Sequence, residues 1–399
     1  MSPAAVADWV EREHDLILPT YPQRTIAFSR GSGTVLVDVD GREYLDFLTG
    51  LAVTALGHAH PAVTAAVSQQ AARLVHTSNL YVTVPMLDLA QRLRAITGWA
   101  DSKAFFCQDG ATANEAALKL ARRHGKKQHP GKVRVVTLEG SFHGRTFATL
   151  EATGQSARHA PFEPLLGFVD TVPHDDPAAM TAAVTDDHCA VLLEVVQGEG
   201  GVRPVPTAVL DAARVACDEH GALLIVDEVQ TGIGRTGEWF AHQHAPVLPD
   251  VISVAKALAN GLPIGAILAR GEATRALEPG DHATTFGGNP VTCAAALATL
   301  DVIASEGVLD NVREREAQLR KIAGSIDGIG GVRGMGLLLG LELDEPLARV
   351  IADSCCDAGL LVNAVAPDVL RIAPPLTVSA AECEQAMEIV ADAVEQGRP

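Results

Sequence analysis

Hydrophobic positions between about residue 60 and residue 300 fall into short apolar runs that alternate with segments of helical spacing. The runs at 133–138, 190–194 and 222–226 are rich in branched apolar residues, which is typical of strands buried on both faces of a parallel sheet. Residues 112–121 and 208–220 instead carry apolar side chains at helical spacing. The alternation predicts an α/β fold in which a mostly parallel sheet is covered by helices.

The two ends of the chain follow other patterns. Residues 33–47 alternate in period two around Asp40-Gly41, which predicts a β-hairpin. After residue 300, a charged helix at 308–326, a glycine-rich turn and a strand at 337–343 are typical of an α+β domain. We therefore predict an N-terminal segment, 1–55, that carries the hairpin and joins the small domain, a large α/β domain at 56–300, and a smaller α+β domain at 301–399.

Composition excludes several classes of protein. The 399 residues are 47% hydrophobic and 20% charged, as in a globular protein with a sizeable core, and the formal net charge of −18 argues against a nucleic-acid partner. No run approaches the roughly 18 to 20 apolar residues of a membrane span, and the first residues lack a signal-peptide pattern. We expect a cytoplasmic protein with no membrane partner, and seven scattered cysteines that are reduced packing residues.

The strongest chemical signal lies where the apolar run at 222–226 ends in Asp227 and where Lys256 follows among apolar neighbours. Ligands of parallel sheets lie beyond the carboxyl ends of the strands, where a carboxylate needs a cationic or hydrogen-bonding partner. The protonated ring nitrogen of pyridoxal phosphate is such a partner. Apolar surroundings lower the pKa of a lysine and favour the neutral amine that forms a Schiff base. Each residue alone is more simply structural, but together they predict this cofactor.

Two further groups of residues support a binding site. Gly110 and Ala111 begin a helix whose free amides suit a phosphate, although a structural cap explains them as well. Phe142 and Arg145 follow the strand at 133–138, so that the ring could stack on a flat cofactor and the guanidinium could bind a carboxylate.

His143, between them, is interpreted as a loop histidine satisfied by backbone. Glu199 and Arg371 are a candidate pair, either a structural ion pair or part of the substrate site.

Two motifs point to other chemistry. The glycines at 232–237 match G-x-G-x-x-G, but four residues separate them from the strand, the next residues open a helix poorly, and no acidic strand end follows at about 20 residues, so we reject a dinucleotide site. The histidine pairs at 58–60 and 242–244 have no Cys or carboxylate set at zinc spacing, so we interpret them as turn histidines and expect no metal.

Taken together, these residues resemble the class III pyridoxal-phosphate aminotransferases over nearly the whole chain. The resemblance implies the fold-type I architecture of pyridoxal-phosphate-dependent transferases. Its implied activity is transfer of the terminal amino group of N2-acetylornithine to 2-oxoglutarate, as in arginine biosynthesis. The segments that carry it are 55–61, 77–81, 142–146, 197–201, 227–232, 261–266, 284–290 and 360–375.

The resemblance also assigns roles to individual residues. It implies that Lys256 is the Schiff-base lysine and Asp227 the partner of the ring nitrogen. In a homodimer with shared active sites, it implies one set of residues on the cofactor and another on the substrate. The cofactor set is Gly110, Ala111, Phe142, Gln230 and, from the partner subunit, Thr285; the substrate set is Arg145, Tyr21, Glu199, Arg371 and, from the partner subunit, Thr284.

The chain departs from the family at one point. Residues 108–115 read Gln-Asp-Gly-Ala-Thr-Ala-Asn-Glu, so that Asp109 stands where a serine usually contacts the phosphate. We predict weaker phosphate retention than in relatives, unless Asp109 turns away and Thr112 supplies a hydroxyl.

Other activities stay open from the sequence. Within the class, the alternatives are ornithine, 4-aminobutyrate and succinyl-diaminopimelate aminotransferases. Leu51 stands where ornithine enzymes tend to have a tyrosine, which favours an acylated amine. A racemase or aminomutase would use the same lysine without 2-oxoglutarate, and a cofactor-free binding protein is the remaining alternative.

Overall fold

The computed structural model describes residues 5–22, 25–245 and 247–397. The first four residues, part of the stretch considered above for a signal peptide, lie outside the described residues. The α-helices of the described part are α1 Val6–Leu16, α2 Thr49–Ala52, α3 Pro61–Ala71, α4 Val84–Thr97, α5 Gly110–Gln128, α6 Phe147–Ala152, α7 Pro177–Ala183, α8 Thr207–His220, α9 Pro290–Ser305, α10 Val308–Ala323, α11 Ala348–Asp357 and α12 Ala380–Gly397. The strands are β1 Phe28–Ser32, β2 Val35–Asp38, β3 Glu43–Asp46, β4 Lys103–Cys107, β5 Arg134–Leu138, β6 Val169–Val172, β7 His188–Leu193, β8 Val196–Gln197, β9 Arg203–Pro204, β10 Leu223–Asp227, β11 Val251–Val254, β12 Gly265–Ala269, β13 Ile329–Met335, β14 Leu338–Leu343, β15 Leu360–Leu361, β16 Asn363–Ala366 and β17 Val369–Ile372.

The largest sheet has seven strands in the order β4-β12-β11-β10-β7-β5-β6. Strand β10 lies at its centre and pairs in parallel with β7 and β11, and β5 pairs in parallel with β6 and β7. Only β12 runs against its neighbours β11 and β4. The predicted α/β fold with a mostly parallel sheet is therefore confirmed.

Both faces of this sheet are buried because alternate residues of each strand pack into different cores. Leu223 and Ile225 of β10 pack in one core with the apolar face of α5, whereas Leu224 and Val226 pack in the other with residues of α8. A strand apolar on both faces can lie only inside a layered α/β fold. The run at 222–226 is for this reason a central strand, as its composition predicted.

The ends of the chain build a second region. The predicted hairpin is present as β2 and β3, which pair antiparallel, and β3 continues to β15 in parallel through Leu45 and Leu360. A separate antiparallel sheet has the order β13-β14-β17-β16 and contacts α10 and α11. The pairing of β3 with β15 links residues near the N-terminus to the C-terminal third, while the boundaries near 55 and 300 stay predictions.

The glycines at 232–237 lie in turns and not at the start of a helix. Gly234 and Gly237 have φ of +89° and +87°, and a Cβ on them would come to 3.0 Å of Leu309 and Arg313 on α10. These glycines therefore serve a left-handed turn that packs against a helix.

Within the described ranges, no single helix is long and apolar enough to cross a membrane; α9 and α10 pass that test only as a pair, bent by 68°. All seven cysteines are free, and all but Cys356 are buried, as expected of packing residues.

Candidate active site

A cavity of about 400 Å³ opens where the parallel strands of the seven-stranded sheet end. Residues that follow β4, β5, β7, β10 and β11 line this cavity, as expected for a ligand site of an open α/β sheet. The lining includes Gly110 and Ala111 after β4, Phe142 to Arg145 after β5, Glu194 and Glu199 after β7, Asp227, Val229 and Gln230 around the end of β10, and Lys256 after β11. The structure thus brings together nine of the twelve predicted site residues or places them directly against the cavity wall.

Asp227 is almost completely enclosed, with 3% of its surface exposed, and its carboxylate is held from two sides. Oδ2 accepts hydrogen bonds from Asn114 Nδ2 at 2.7 Å and from His143 Nδ1 at 2.8 Å. Oδ1 accepts from the Val229 amide at 2.9 Å. These donors fix the plane of a carboxylate that would otherwise be costly to bury.

The interpretation of His143 as a histidine satisfied by backbone is wrong. Its ring is fully buried and bonded to the Asp227 carboxylate, because the loop after β5 crosses the carboxyl end of β10. Its Nε2 is buried and has no hydrogen-bond partner among the described residues. The sequence signal that could have found it is its place after a strand next to Phe142.

Asn114 was also missed. It lies one turn inside α5, is 1% exposed, and donates from Nδ2 to both Asp227 and the His143 carbonyl, the latter at 2.8 Å. A polar residue on the buried, alanine-rich face of a helix is the pattern that could have identified it.

Lys256 lies immediately after β11 with φ of +41°, a left-handed conformation that is uncommon outside glycine. Burial lowers the pKa of Lys256 to about 8, although the nearby carboxylate of Glu199 raises it. A substantial fraction of this amine is therefore neutral near physiological pH, as the apolar neighbours predicted.

Helix α5 points its N-terminus at the cavity, and its first residues are Gly110 and Ala111. A Cβ at Gly110 would lie 2.6 Å from Cγ1 of Val229, so glycine is required for the close approach of helix and strand end. Free backbone amides here, together with the helix dipole, favour an anion.

Asp109 is the N-cap of α5. Its Oδ1 accepts from the Thr112 amide at 2.8 Å, and the Thr112 hydroxyl donates to the Asp109 carbonyl at 3.1 Å. The Thr112 hydroxyl is thus engaged inside the turn and does not take the place of the missing serine.

Phe142 is fixed through its amide, which donates to Glu194 Oε2 at 2.9 Å. The guanidinium carbons of Arg145 and of Arg158 each lie 5.5 Å from the centre of its ring. Partial burial, and next the charge of Arg158, lowers the pKa of Arg145. Sequence reasoning missed Arg158, which follows helix α6 and carries no motif of its own.

Glu194 was likewise missed because it ends an apolar strand. It is 5% exposed and lines the cavity beside Asp227. Burial, and next the charge of Asp227, raises the pKa of Glu194 well above its usual range. The burial and the charge of Asp227 thus both favour the protonated form of Glu194.

Glu199 and Arg371 form an ion pair, with Glu199 Oε1 at 2.7 Å from Nη1 of Arg371. Arg371 is 1% exposed and also donates to Asn363 Oδ1 at 3.1 Å. Although burial raises it, the attraction of Arg371 lowers the pKa of Glu199. The pair lies at the edge of the cavity, so it can be either a structural ion pair or part of the substrate site.

Three predicted residues do not line the cavity. Thr284 instead accepts a hydrogen bond from Gln108 of its own chain, and Thr285 is exposed beside it. Tyr21 is 70% exposed. Within the described residues, no group of three or more His, Cys, Asp or Glu is arranged to hold a metal ion.

The cavity fits pyridoxal phosphate. Amides of an α5 N-terminus face one part of it for the phosphate, the fixed Asp227 carboxylate faces it for the ring nitrogen, Phe142 offers a flat face, and Lys256 offers an amine that is partly neutral. The volume suits a small cofactor. Fold and site together define a pyridoxal-phosphate-dependent transferase of fold type I.

Comparisons with known proteins extend this identification. Residues 18–394 match the family Aminotransferase class-III. The acetylornithine aminotransferase of Streptomyces coelicolor is 50% identical over 374 residues, which are 92% of this chain and 90% of that protein.

Solved structures agree. The N-acetylornithine aminotransferase of Stenotrophomonas maltophilia matches with a TM-score of 0.83 at 35% identity, over 97% of this chain and 98% of that one. An ornithine aminotransferase of Toxoplasma gondii, whose structure has partial occupancy of pyridoxal phosphate, matches with a TM-score of 0.93 at 30% identity. The match covers 99% of this chain and 95% of that one. The chain belongs to the class III aminotransferases and is a pyridoxal-phosphate-dependent aminotransferase.

Proposed function

We propose that this chain transfers the terminal amino group of N2-acetylornithine to 2-oxoglutarate, giving N-acetylglutamate semialdehyde and glutamate, in the cytoplasm and as a homodimer. The observation that carries the proposal is one cavity in which Lys256 and Asp227 lie with Arg145, whose guanidinium forms no ion pair among the described residues. A relative that is 50% identical over 92% of this chain is named for this activity.

We assign the cofactor to the residues expected from the sequence. Gly110 and Ala111 hold the phosphate, Asp227 holds the ring nitrogen with Asn114 and His143 behind it, and Phe142 and Gln230 bound the ring. When bound, pyridoxal phosphate supplies an electrophilic carbonyl and a ring that accepts electrons.

Lys256 has two tasks in this proposal. Its Nζ holds the cofactor in the resting enzyme and, once released, accepts and returns the proton that moves during amino transfer. Desolvation suits both tasks, because it lowers the pKa of Lys256 to about 8, close to the working pH of a general base.

Substrate recognition begins at the mouth of the cavity. Arg145 binds the α-carboxylate of the donor, with Tyr21 close to it. Leu51 presents an apolar side chain, 42% exposed, and its carbonyl accepts from Gln230 at 3.4 Å. An acylated amine tolerates such an apolar neighbour better than a free ammonium group does.

The Glu199–Arg371 pair gives the site two states. Glu199 neutralises Arg371 while the donor is bound, and releases it to bind the second carboxylate of 2-oxoglutarate. Arg371 is buried and also hydrogen-bonded to Asn363, whereas Glu199 is partly exposed, so breaking the pair is costly for Arg371 unless a new carboxylate replaces Glu199.

Replacing Glu199 by Gln tests this gate. The variant should process 2-oxoglutarate normally and acetylornithine about tenfold more slowly, because Arg371 then stays unpaired during the first half-reaction. Single-turnover rates for the two halves measure this, and an unchanged ratio would refute the gate.

The second active-site wall comes from a partner subunit. We assign Thr284 and Thr285 to the neighbouring site, since both lie outside the cavity of their own chain and beside exposed apolar residues.

An ornithine aminotransferase is the second candidate, because a solved ornithine enzyme has the higher TM-score of 0.93. Single-turnover half-reactions with acetylornithine, ornithine, 4-aminobutyrate and succinyl-diaminopimelate separate these activities. The proposal requires that acetylornithine react with the highest kcat/KM and that glutamate convert the cofactor to its amine form. Preference for ornithine would replace the proposal, and a cofactor that glutamate leaves unchanged would indicate a racemase or aminomutase.

Borohydride reduction followed by peptide mass spectrometry tests whether Lys256 is the residue that forms the Schiff base with the cofactor. The label should lie on Lys256, and a label on any other residue would overturn the assignment. A Lys256→Ala variant should lose at least about a thousandfold in activity while keeping its fold.

A further inference from the structure

We infer that Arg158 forms with Arg145 a two-arginine site that selects donors whose α-centre carries a net negative charge, which is the charge of an acylated amino acid. The inference rests on the proposed function and adds a specificity-determining residue to it. It begins from the two guanidinium groups that lie at the same distance, 5.5 Å, from the Phe142 ring.

Arg158 is held in place. Its Nε donates to Gln155 Oε1 at 2.6 Å, and Gln155 Nε2 in turn donates to the carbonyls of Gly140 and Ser141, each at 3.2 Å. These carbonyls directly precede Phe142, so the guanidinium is tied to the loop that forms the cavity wall.

Within the described residues, the two Nη atoms of Arg158 are free to bind a ligand. In the part of the chain that the structure describes, neither the Nη atoms of Arg158 nor any atom of Arg145 makes a hydrogen bond or an ion pair. Glu199 attracts both guanidinium groups, but its ion pair is with Arg371. Arg158 lines a groove beside the active-site cavity, and Glu139 of that groove forms no ion pair with it.

The two cations also repel each other, since the charge of Arg158 adds to burial in lowering the pKa of Arg145. Both guanidinium groups lie over the Phe142 ring and neither has an ion-pair partner among the described residues, so a carboxylate bound beside that ring would attract both. The anion that this mouth would receive is the substrate carboxylate.

The charge of the donor decides what a second arginine does. Acetylornithine has an uncharged amide at its α-nitrogen, so its α-centre carries one negative charge. Ornithine has an ammonium group there, so its α-centre is neutral overall and two guanidinium groups repel the ammonium. Arg158 therefore strengthens binding of the acylated donor and weakens binding of the free amino acid.

Two unreactive ligands test directly whether Arg158 binds the α-carboxylate of the donor. N-acetylnorvaline is acetylornithine without the terminal amine, and N-butylacetamide lacks the carboxylate as well. Isothermal titration of the cofactor-loaded enzyme should show that Arg158→Gln weakens binding of N-acetylnorvaline about tenfold, as for loss of a hydrogen bond to a charged group. Binding of N-butylacetamide should be unchanged. Arg158→Lys should restore part of the affinity.

Kinetics test the selectivity. In Arg158→Gln, the ratio of kcat/KM for acetylornithine to that for ornithine should fall by about tenfold, mainly through KM. The matched control is Arg349→Gln, an exposed arginine of α11 that pairs with Asp353, which should leave both ligands and both substrates unaffected.

Three results would overturn the inference. Unchanged binding of N-acetylnorvaline in Arg158→Gln would do so, as would an equal loss for both ligands or a changed cofactor absorbance, because these mean that Arg158 only supports Phe142. The proposed function fails separately, if the wild-type enzyme does not transaminate acetylornithine. In that case the comparison of 4-aminobutyrate with butylamine still shows whether Arg158 binds a carboxylate.

Discussion

Asp109 stands where the family resemblance leads us to expect a serine that contacts the phosphate. Its carboxylate caps α5 and lies next to the amides of Gly110 and Ala111, where the phosphate would bind. It stabilises the helix through the cap and the dipole, but it brings a negative charge toward an anion.

Replacing Asp109 by Ser should therefore strengthen retention of pyridoxal phosphate about three- to fivefold, the size of an exposed charge interaction. Asp109→Asn, which keeps the cap acceptor, should do the same if charge is the cause. Equilibrium titration of each variant with pyridoxal phosphate measures this, and pyridoxal without phosphate is the control that should not respond. Equal affinity of all three proteins would contradict the repulsion.

Glu194 should make the stability of the protein depend on pH. Burial raises the pKa of Glu194 well above its usual range, so the folded state binds more protons than the unfolded state above that range. Stability is then lost as the pH rises through the interval between the two pKa values.

Glu194→Gln cannot titrate, so its advantage in free energy of unfolding over the wild type should grow with pH, by at most about 1.4 kcal/mol per pH unit. Urea denaturation between pH 4.5 and 8.5 measures the difference. Glu345→Gln, at an exposed position, is the matched control, and parallel curves for the wild type and Glu194→Gln would refute the prediction.

At the scale of elements, the site depends on how closely the loop after β5 approaches the start of α5. Gly144 has φ of +141°, and a Cβ on it would lie 2.7 Å from Cβ of Ala111. The loop that carries Phe142 and His143 can therefore reach Asp227 only because this position has no side chain.

Gly144→Ala should cost about 1–3 kcal/mol of stability through overpacking and should weaken cofactor binding by moving the loop. Gly280→Ala is the control, because Gly280 also has positive φ but would meet nothing within 4 Å. Thermal unfolding and cofactor titration separate the two variants. Gly144→Ala with the cofactor affinity of the wild type would show that the contact does not position the site.

At the scale of the whole molecule, exposed apolar side chains gather around 80–87 and at Phe286, with Leu80 84% and Val82 73% exposed. These residues adjoin Thr284 and Thr285. An apolar surface of this kind is typical of a protein–protein contact. It supports a second copy of the chain as its occupant.

Val82→Asp should place a charge in that contact, produce monomers in sedimentation velocity, and lower activity at least about tenfold, because burying an unpaired charge is costly. Val350→Asp, on the exposed face of α11, should change neither quantity. A Val82→Asp monomer with full activity would refute a shared active site.

Much of this molecule follows from local sequence. Runs of branched residues form β7 and β10, helical spacing forms α8 and α10, and Asp40-Gly41 turns the hairpin, because these patterns depend on neighbours within a few residues. The acid that ends β10 and the lysine that follows β11 were predictable as well, since parallel strands deliver their carboxyl ends to the same edge.

Only the tertiary structure decided what surrounds those two residues. Asn114, His143, Glu194 and Arg158 come from a helix, a loop, a strand end and a short turn that are distant in sequence, so their chemistry appears only when the chain folds. The same holds for the burial that shifts the pKa values of Lys256 and Glu194, because desolvation depends on all neighbours in space and not on those in sequence. The sequence by itself thus determined the fold class, the lysine and its partner acid, while packing determined how that acid is held and which charges face the substrate.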